Sequence, residues 1–169
     1  MFCYKMFDFY IKLIYLYGVV IEDRFGGKVM NYILMSHGGL AKGALSSVEM
    51  IMGKPENVNI ISIDEDSSLQ GTVEKITEKY EENGQEDTFI ICDVLGGTPS
   101  NAGMNFVATH PNSQMVTGMN LPMLLEIFMN DSNSLEKLKA VSKKAYIKGF
   151  STFDYETMNA EFIQAEGGL

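Results

Sequence analysis

Two polar segments, each following an apolar run, carry the residues best suited to chemistry. His37 lies in the first, Ser-His-Gly-Gly, and Asp93 begins the second, Asp-Val-Leu-Gly-Gly-Thr. A carboxylate that accepts a hydrogen bond from one imidazole nitrogen fixes the tautomer, so the other nitrogen keeps a free and more basic lone pair. If Asp93 lies beside His37, the histidine can therefore act as a base or a nucleophile.

The glycines of these segments favour an anionic ligand. Paired glycines let backbone N–H groups approach a ligand closely, and a helix N-terminus after each pair favours negative charge. Gly38 and Gly39 would also leave room beside the histidine. A phosphoryl group on His37 brings roughly two negative charges, which such N–H groups can hold without a lysine. We therefore predict phosphoryl chemistry.

Each of these residues also has a purely structural interpretation. A histidine after a strand often belongs to a turn, paired glycines mostly serve turns, and an aspartate at a strand end often caps a helix. The joint placement of the two segments favours the chemical interpretation. His110 precedes Pro111 at a predicted helix end without comparable neighbours, and we expect it to be structural or exposed.

Apolar patterning predicts the elements that position these segments. Short apolar runs typical of buried strands alternate with stretches of helical spacing. The predicted strands span 32–35, 58–63, 89–92 and 114–117. Two helices are predicted over 39–53 and 135–147, and three more are predicted to begin at Ser67, Thr98 and Asn120. Ser67 and Thr98 are the expected helix caps. The methionines at core spacing are predicted to fill the interior: Met50, Met52, Met119, Met123 and Met129.

Strands separated by such helices imply βαβ crossovers and a mainly parallel sheet covered on both faces. We predict a doubly wound α/β domain over residues 30–150, with four strands in the order 2-1-3-4. Sites in such sheets lie where the winding direction reverses, here between strands 1 and 3. That topology would bring His37 and Asp93 together.

Composition limits the classes of function. The chain has 169 residues, a formal net charge of −9 and a pI near 4.7, which suits one domain and argues against nucleic acid or an anionic membrane as a partner. Cys3 and Cys92 lie far apart, so a reduced cytoplasmic protein without disulfides is expected. Because no Cys and His residues cluster in the sequence, no metal site is predicted.

The two ends differ from the rest of the chain. Gly26 and Gly27 can be encoded by the purine-rich GGAGGN that marks a bacterial ribosome-binding site, and Met30 follows at a suitable distance. We hypothesise that Met30 is the native start and that residues 1–29 are translated leader; the alternative is an amphipathic helix packed on the domain or on a partner. The acidic tail, 151–169, either adds an edge strand around Phe150 to Phe153 or is disordered.

Four motifs, taken together in their order along the chain, resemble the enzyme IIA component of the mannose class of the bacterial phosphoenolpyruvate-dependent sugar phosphotransferase system. Members of this class serve mannose, fructose, sorbose or N-acetylgalactosamine. The motifs are Ser36-His-Gly38, Glu49-Met-Ile-Met-Gly53, Asp93-x-x-Gly-Gly-Thr-Pro-x-Asn101 and Gly118-Met-Asn-Leu-Pro-Met-Leu125. The resemblance covers about residues 31 to 148. A similar fold with a histidine in the same place occurs in the phosphotransferase subunit that feeds dihydroxyacetone kinase, and a non-catalytic regulatory binding module is the other alternative.

The resemblance implies specific roles. His37 would accept a phosphoryl group from the phosphohistidine of HPr and donate it to a separate IIB component, with the membrane components IIC and IID involved indirectly. Asp93 would orient His37, and Gly96, Gly97 and Thr98 would help to bind the phosphate. The resemblance also implies a homodimer, and no cofactor beyond the covalent phosphohistidine intermediate.

Overall fold

The computed structural model describes residues 29–130, 132, 134–156 and 158. Its strands are β1 (Asn31–His37), β2 (Val58–Ile63), β3 (Thr88–Cys92) and β4 (Ser113–Thr117). Its helices are α1 (Leu40–Met52), α2 (Leu69–Glu82), α3 (Thr98–Val107), α4 (Leu121–Phe128) and α5 (Leu135–Lys148). The hypothesis about the leader and most of the predicted tail fall outside the described residues.

The strands pair in parallel in the order β2-β1-β3-β4, which confirms the predicted sheet. Alternate residues of β1 pack on opposite faces: Leu34 joins the core under α1, α4 and α5, whereas Ile33 joins the core under α2 and α3. Because successive side chains of a strand point to opposite faces, a strand covered on both sides has an apolar centre, here Tyr32 to Met35. The chain winds outward from β1 to β2 and from β3 to β4, so the switch point lies between β1 and β3.

Two helix starts illustrate how local chemistry sets the boundaries. Asn120, at which a helix was predicted to begin, caps α4 by accepting a hydrogen bond from the backbone N–H of Met123 at 2.9 Å. For α2 the predicted cap was wrong by one residue: Ser68, not Ser67, accepts from the N–H of Gly71 at 3.0 Å. Ser67 instead accepts from the N–H of Asp64 at 3.0 Å and closes the preceding turn. In the described part of the chain no helix is long and apolar enough to cross a membrane.

The predicted burial of the methionines was right for some and wrong for others. Met119 and Met123 are buried, and Met52 packs at the edge of the core. Met50 is 86% exposed and Met129 is 67% exposed. Met50 follows the buried Val48 by two positions, which is about 200° around an α-helix, so its side chain lies on the solvent face.

The edge strand expected around Phe150 to Phe153 is not formed. Residues 151–154 have no regular secondary structure, and the side chains of Phe150 and Phe153 are exposed. A strand requires a neighbouring edge with which to exchange backbone hydrogen bonds, and none of the described strands pairs with this segment.

Candidate functional site

The sheet register places the ends of β1 and β3 side by side. Met35 of β1 is aligned with Cys92 of β3, and the backbone N–H of Asp93 donates to the carbonyl of Met35 at 3.1 Å. On its other side, the carbonyl of Asp93 accepts from the N–H of Gly118 at 3.1 Å. Asp93 is therefore held between the ends of β1 and β4, the two strands that flank β3, and lies next to His37.

The side chains of His37 and Asp93 are in direct contact. Oδ2 of Asp93 lies 2.8 Å from Nδ1 of the His37 ring and accepts from the backbone N–H of His37 at 2.9 Å. Its Oδ1 accepts from the N–H of Val94 at 2.8 Å. Since an ionised carboxylate can only accept hydrogen bonds, Nδ1 must carry the proton, and the lone pair of Nε2 is left free. The His37 side chain is 50% exposed, whereas that of Asp93 is 11% exposed.

The charge of Asp93 follows from the balance of these contacts. Burial raises the pKa of the carboxyl group, but the hydrogen bonds from His37 and Val94, together with the adjacent imidazole, outweigh burial and hold the pKa below its usual range. Asp93 is therefore ionised near neutral pH, as an acceptor for Nδ1–H requires.

The other edge of the imidazole lies against the backbone of Gly97. A Cβ atom at Gly97 would lie 2.5 Å from Cε1 and 2.9 Å from Nε2 of His37. No residue with a side chain fits there without moving the ring. Gly97 is also the N-cap residue of α3, and no side chain caps this end of the helix. Nε2 therefore lies beside a helix N-terminus, where negative charge is stabilised.

Thr98 does not have its predicted role as the cap of α3. Gly97 takes the cap position, with an extended backbone, and Thr98 is the first helical residue, followed by Pro99. The cap lies one residue earlier because Gly97 has the extended, non-helical backbone of an N-cap residue and its carbonyl already accepts the first helical bond, from the N–H of Asn101 at 3.0 Å. Within the described part of the chain, the Thr98 hydroxyl makes no hydrogen bond.

Directly after His37, a turn leads into α1. Gly38 has a φ of +53°, a conformation that glycine adopts readily, and its N–H donates to the carbonyl of Ile63 at 2.9 Å. The hydroxyl of Ser36, which is fully buried, accepts from the N–H of Ala41 at 2.8 Å. A Cβ atom at Gly38 or Gly39 would meet nothing within 4 Å, so the space beside these two glycines is open.

The Gly96–Gly97 turn is closed by Ser100, which occupies an unspecified position of the Asp93–Asn101 motif. The hydroxyl of Ser100 accepts from the N–H of Gly96 at 2.9 Å and lies 3.1 Å from the carbonyl oxygen of Gly97, to which it donates. The N–H of Gly96 is thus already engaged. A serine in the first turn of a helix, where side chains commonly bond back to the preceding backbone, was the available signal.

Exposed apolar side chains flank the site. Leu40, at the start of α1, and Val94 and Leu95, directly after Asp93, are each at least half exposed. Among the described residues, no three His, Cys, Asp or Glu side chains are grouped as metal ligands. The accessible ring of His37 therefore lies between glycine turns and an apolar rim.

Comparison with known proteins matches this arrangement to one family. Residues 31–145 match the family model EIIA-man, described as the PTS system fructose IIA component. The sorbose-specific EIIA component of Lacticaseibacillus casei is 37% identical over 130 residues, covering 76% of this chain and 94% of that protein. The fructose-specific EIIA component of Bacillus subtilis (strain 168) is 27% identical over 124 residues, covering 70% of this chain and 85% of that protein.

A solved structure agrees with the sequence relatives. The mannose/sorbose-specific IIA subunit of the phosphotransferase system from Enterococcus faecalis superimposes with a TM-score of 0.69 and 32% identity, covering 73% of this chain and 94% of that one. The fold and the sequence thus define a phosphotransferase of the sugar phosphotransferase system. The chain belongs to the mannose-class enzyme IIA family.

Proposed function

We propose that this protein carries a phosphoryl group between two proteins during sugar uptake, accepting it from phospho-HPr on Nε2 of His37 and donating it to a separate IIB component. The observation that supports this most directly is the pairing of Nδ1 with the Asp93 carboxylate at 2.8 Å. That contact commits one ring nitrogen to a proton and leaves the other as the nucleophile.

The chemical step follows from that proton placement. The lone pair of Nε2 attacks the phosphorus of the donor phosphohistidine, a new N–P bond forms, and the donor's N–P bond breaks with its electron pair returning to the donor ring. His37 then carries phosphoryl on Nε2 and the proton on Nδ1, so its ring is formally cationic. The ionised Asp93 carboxylate stabilises that cation, and the reverse step onto the IIB component uses the same geometry.

The phosphoryl oxygens require their own stabilisation. The N-terminus of α3 lies against the ring and that of α1 follows His37 closely in the chain, and both helices have a glycine as the N-cap residue. At α1 the N–H of Ala41 is already bonded to Ser36. First-turn N–H groups of a helix lack partners within the helix. In the proposal, those groups at Gly97 and Thr98, with the Thr98 hydroxyl, bind the phosphate, while Gly38 and Gly39 leave space for it to enter. The covalent intermediate needs no further cofactor.

The surroundings favour protein partners over a small substrate. Leu40, Val94 and Leu95 form an exposed apolar rim, and such side chains are stabilised when another protein covers them. We place the protein in the cytoplasm, where the donor and the IIB component would both meet this face, and where the IIC and IID membrane components would be reached only through IIB. The homodimer expected from the resemblance also belongs to the proposal.

Reconstitution with phosphoenolpyruvate, enzyme I and HPr tests the proposal. The wild type should gain one acid-labile phosphate per chain, and His37→Ala should gain none while keeping its circular dichroism spectrum and unfolding midpoint. Unlabelled wild type, or normal labelling of His37→Ala, would refute the proposal. Labelling without onward transfer to any IIB component, but with transfer to a dihydroxyacetone kinase, would favour that kinase system instead.

A further inference from the structure

A buried hydroxyl connects the start of α3 to the turn that contacts His37. Ser100 is fully buried, and its Oγ both accepts from the N–H of Gly96 at 2.9 Å and donates to the carbonyl of Gly97 at 3.1 Å. A serine hydroxyl has a single proton, so donation to Gly97 leaves the lone pairs for the N–H of Gly96. The two bonds together hold the peptide unit before Gly96 and the peptide unit after Gly97, so they span both glycines.

Among the described residues, the structure shows one further hydrogen bond for this turn: the carbonyl of Gly97 also accepts the helical bond from the N–H of Asn101 at 3.0 Å. Two consecutive glycines have the greatest backbone freedom of any pair, and fixing them costs conformational entropy. Gly96 has a φ of +93°, and Gly97 has no side chain to pack. Yet the backbone of Gly97 must stay within contact of the imidazole edge that bears Nε2. A displacement of this turn would therefore move the helix N-terminus relative to the nucleophile.

We propose that Ser100 is a positioning residue for phosphoryl transfer at His37: it locks the Gly96–Gly97 turn so that the N-terminus of α3 stays aligned with Nε2. The inference rests on the proposed function of His37. It does not require Ser100 to touch the phosphoryl group, since the side chain is buried beneath the turn. Removing the hydroxyl should slow the chemical step without weakening the docking of the donor protein.

A second buried serine provides a matched control. Ser113 is 4% exposed, and its Oγ donates to the carbonyl of His110 at 2.6 Å. It begins β4, at the opposite end of the sheet from His37. Ser113→Ala therefore deletes the same group from a comparable environment without touching the turn. A merely structural role for Ser100 would make the two variants alike.

The experiment compares wild type, Ser100→Ala and Ser113→Ala in single-turnover phosphorylation over a range of phospho-HPr concentrations. For Ser100→Ala, we expect the limiting rate to fall by about tenfold to a hundredfold, the loss that a small misplacement of reacting groups produces, with the half-saturating donor concentration unchanged. Labelling by phosphoramidate, a small donor that needs no docking surface, should slow in parallel. Ser113→Ala should stay within about twofold of wild type in both assays.

Amide hydrogen exchange measures directly whether Ser100 holds the Gly96–Gly97 turn. In Ser100→Ala, the Gly96 amide should exchange at least about tenfold faster than in wild type, because it loses its acceptor, while amides of β3 keep their protection. An unchanged Gly96 amide, a limiting rate within twofold of wild type, or an equal loss in Ser113→Ala would overturn the inference. If wild type is labelled on His37 while Ser100→Ala is unimpaired, only the positioning role fails; if wild type takes up no phosphate, the proposed function fails with it.

Discussion

The protein has two histidines in its sequence, and their surroundings differ in an instructive way. Nδ1 of His37 lies 2.8 Å from a carboxylate oxygen of Asp93, and Nδ1 of His110 lies 2.8 Å from the backbone carbonyl oxygen of Phe106. Both rings thus have one nitrogen paired at the same distance. Pairing of a ring nitrogen is therefore not what distinguishes a reactive histidine here.

The difference lies in the charge of the acceptor and in what covers the ring. The ring of His110 stacks on Phe106 with centroids 3.8 Å apart and meets the edge of Tyr80 at 5.0 Å. The ring of His37 is half exposed, and its Nε2 edge lies against the backbone of a glycine, Gly97. A neutral carbonyl offsets the cation that phosphorylation creates less well than a carboxylate does, and aromatic packing holds the His110 ring in the core. The carboxylate beside Nδ1 and the absence of a side chain at Gly97 are the two features for which we propose His37 and not His110 as the nucleophile.

The largest effect is expected from filling the glycine that contacts the ring. In Gly97→Ala, the added Cβ would collide with the His37 ring, so the ring must rotate away from Asp93. We expect transfer to fall by about a hundredfold or more, with the fold retained because the ring can move into solvent. Initial rates of phosphorylation by phospho-HPr measure the effect.

Gly43→Ala is the control for that substitution. Gly43 lies within α1, and a Cβ there would meet nothing within 4 Å. Transfer should be unchanged, and the free energy of unfolding should rise by about 1 kcal/mol, because alanine is the better helix former. Equal transfer rates in Gly97→Ala and Gly43→Ala would show that the position of the His37 ring does not depend on a glycine at residue 97.

The next effect tests the charge of the acceptor. In Asp93→Asn the Nδ1 partner loses its charge and becomes more like the carbonyl that pairs with His110. We expect transfer to slow by about tenfold to a hundredfold, as when the carboxylate partner of a functional histidine is removed, with little change in secondary structure. An unchanged rate would mean that the carboxylate does not orient or stabilise the ring.

His110→Ala should affect stability and not transfer. The substitution removes two ring contacts and the hydrogen bond to Phe106, which together predict a loss of about 1–3 kcal/mol in the free energy of unfolding. Urea unfolding measures the loss, and the phosphorylation rate should stay within about twofold of wild type. If His110→Ala slowed transfer by more than its loss of folded protein explains, His110 would take part in transfer, and the contrast between the two histidines would be wrong.

The smallest effect concerns the pH dependence of stability. Because the pKa of Asp93 is lower in the folded protein than its usual value of about 3.9, the ionised group stabilises the fold above that value. The stabilisation is lost as the pH falls through the lowered, folded-state pKa. Asp93→Asn should therefore lose stability less steeply than wild type below about pH 4. Urea unfolding at a series of pH values measures this. If the free energy of unfolding fell equally steeply with pH in both proteins, the lowered pKa would be contradicted.

Long-range topology was predictable from the sequence, whereas short-range geometry was not. Alternating runs such as Val58–Ile63 and the helix after them determine a parallel sheet, and the strand order then places Asp93 near His37. The contact of Gly97 with the ring depends on shifts of about an ångström, which no pattern of residue types encodes. The solvent position of Met50 depended on which stripe of α1 faces the sheet, and spacing alone left that open.

The position of the phosphoryl group on the phosphorylated protein tests the central claim most directly. Nitrogen-15 and phosphorus-31 NMR distinguish the two imidazole nitrogens and the two histidines. We predict phosphoryl on Nε2 of His37, with the Nδ1 proton retained in its hydrogen bond to Asp93. Phosphoryl on Nδ1 of His37, or on His110, would contradict the account.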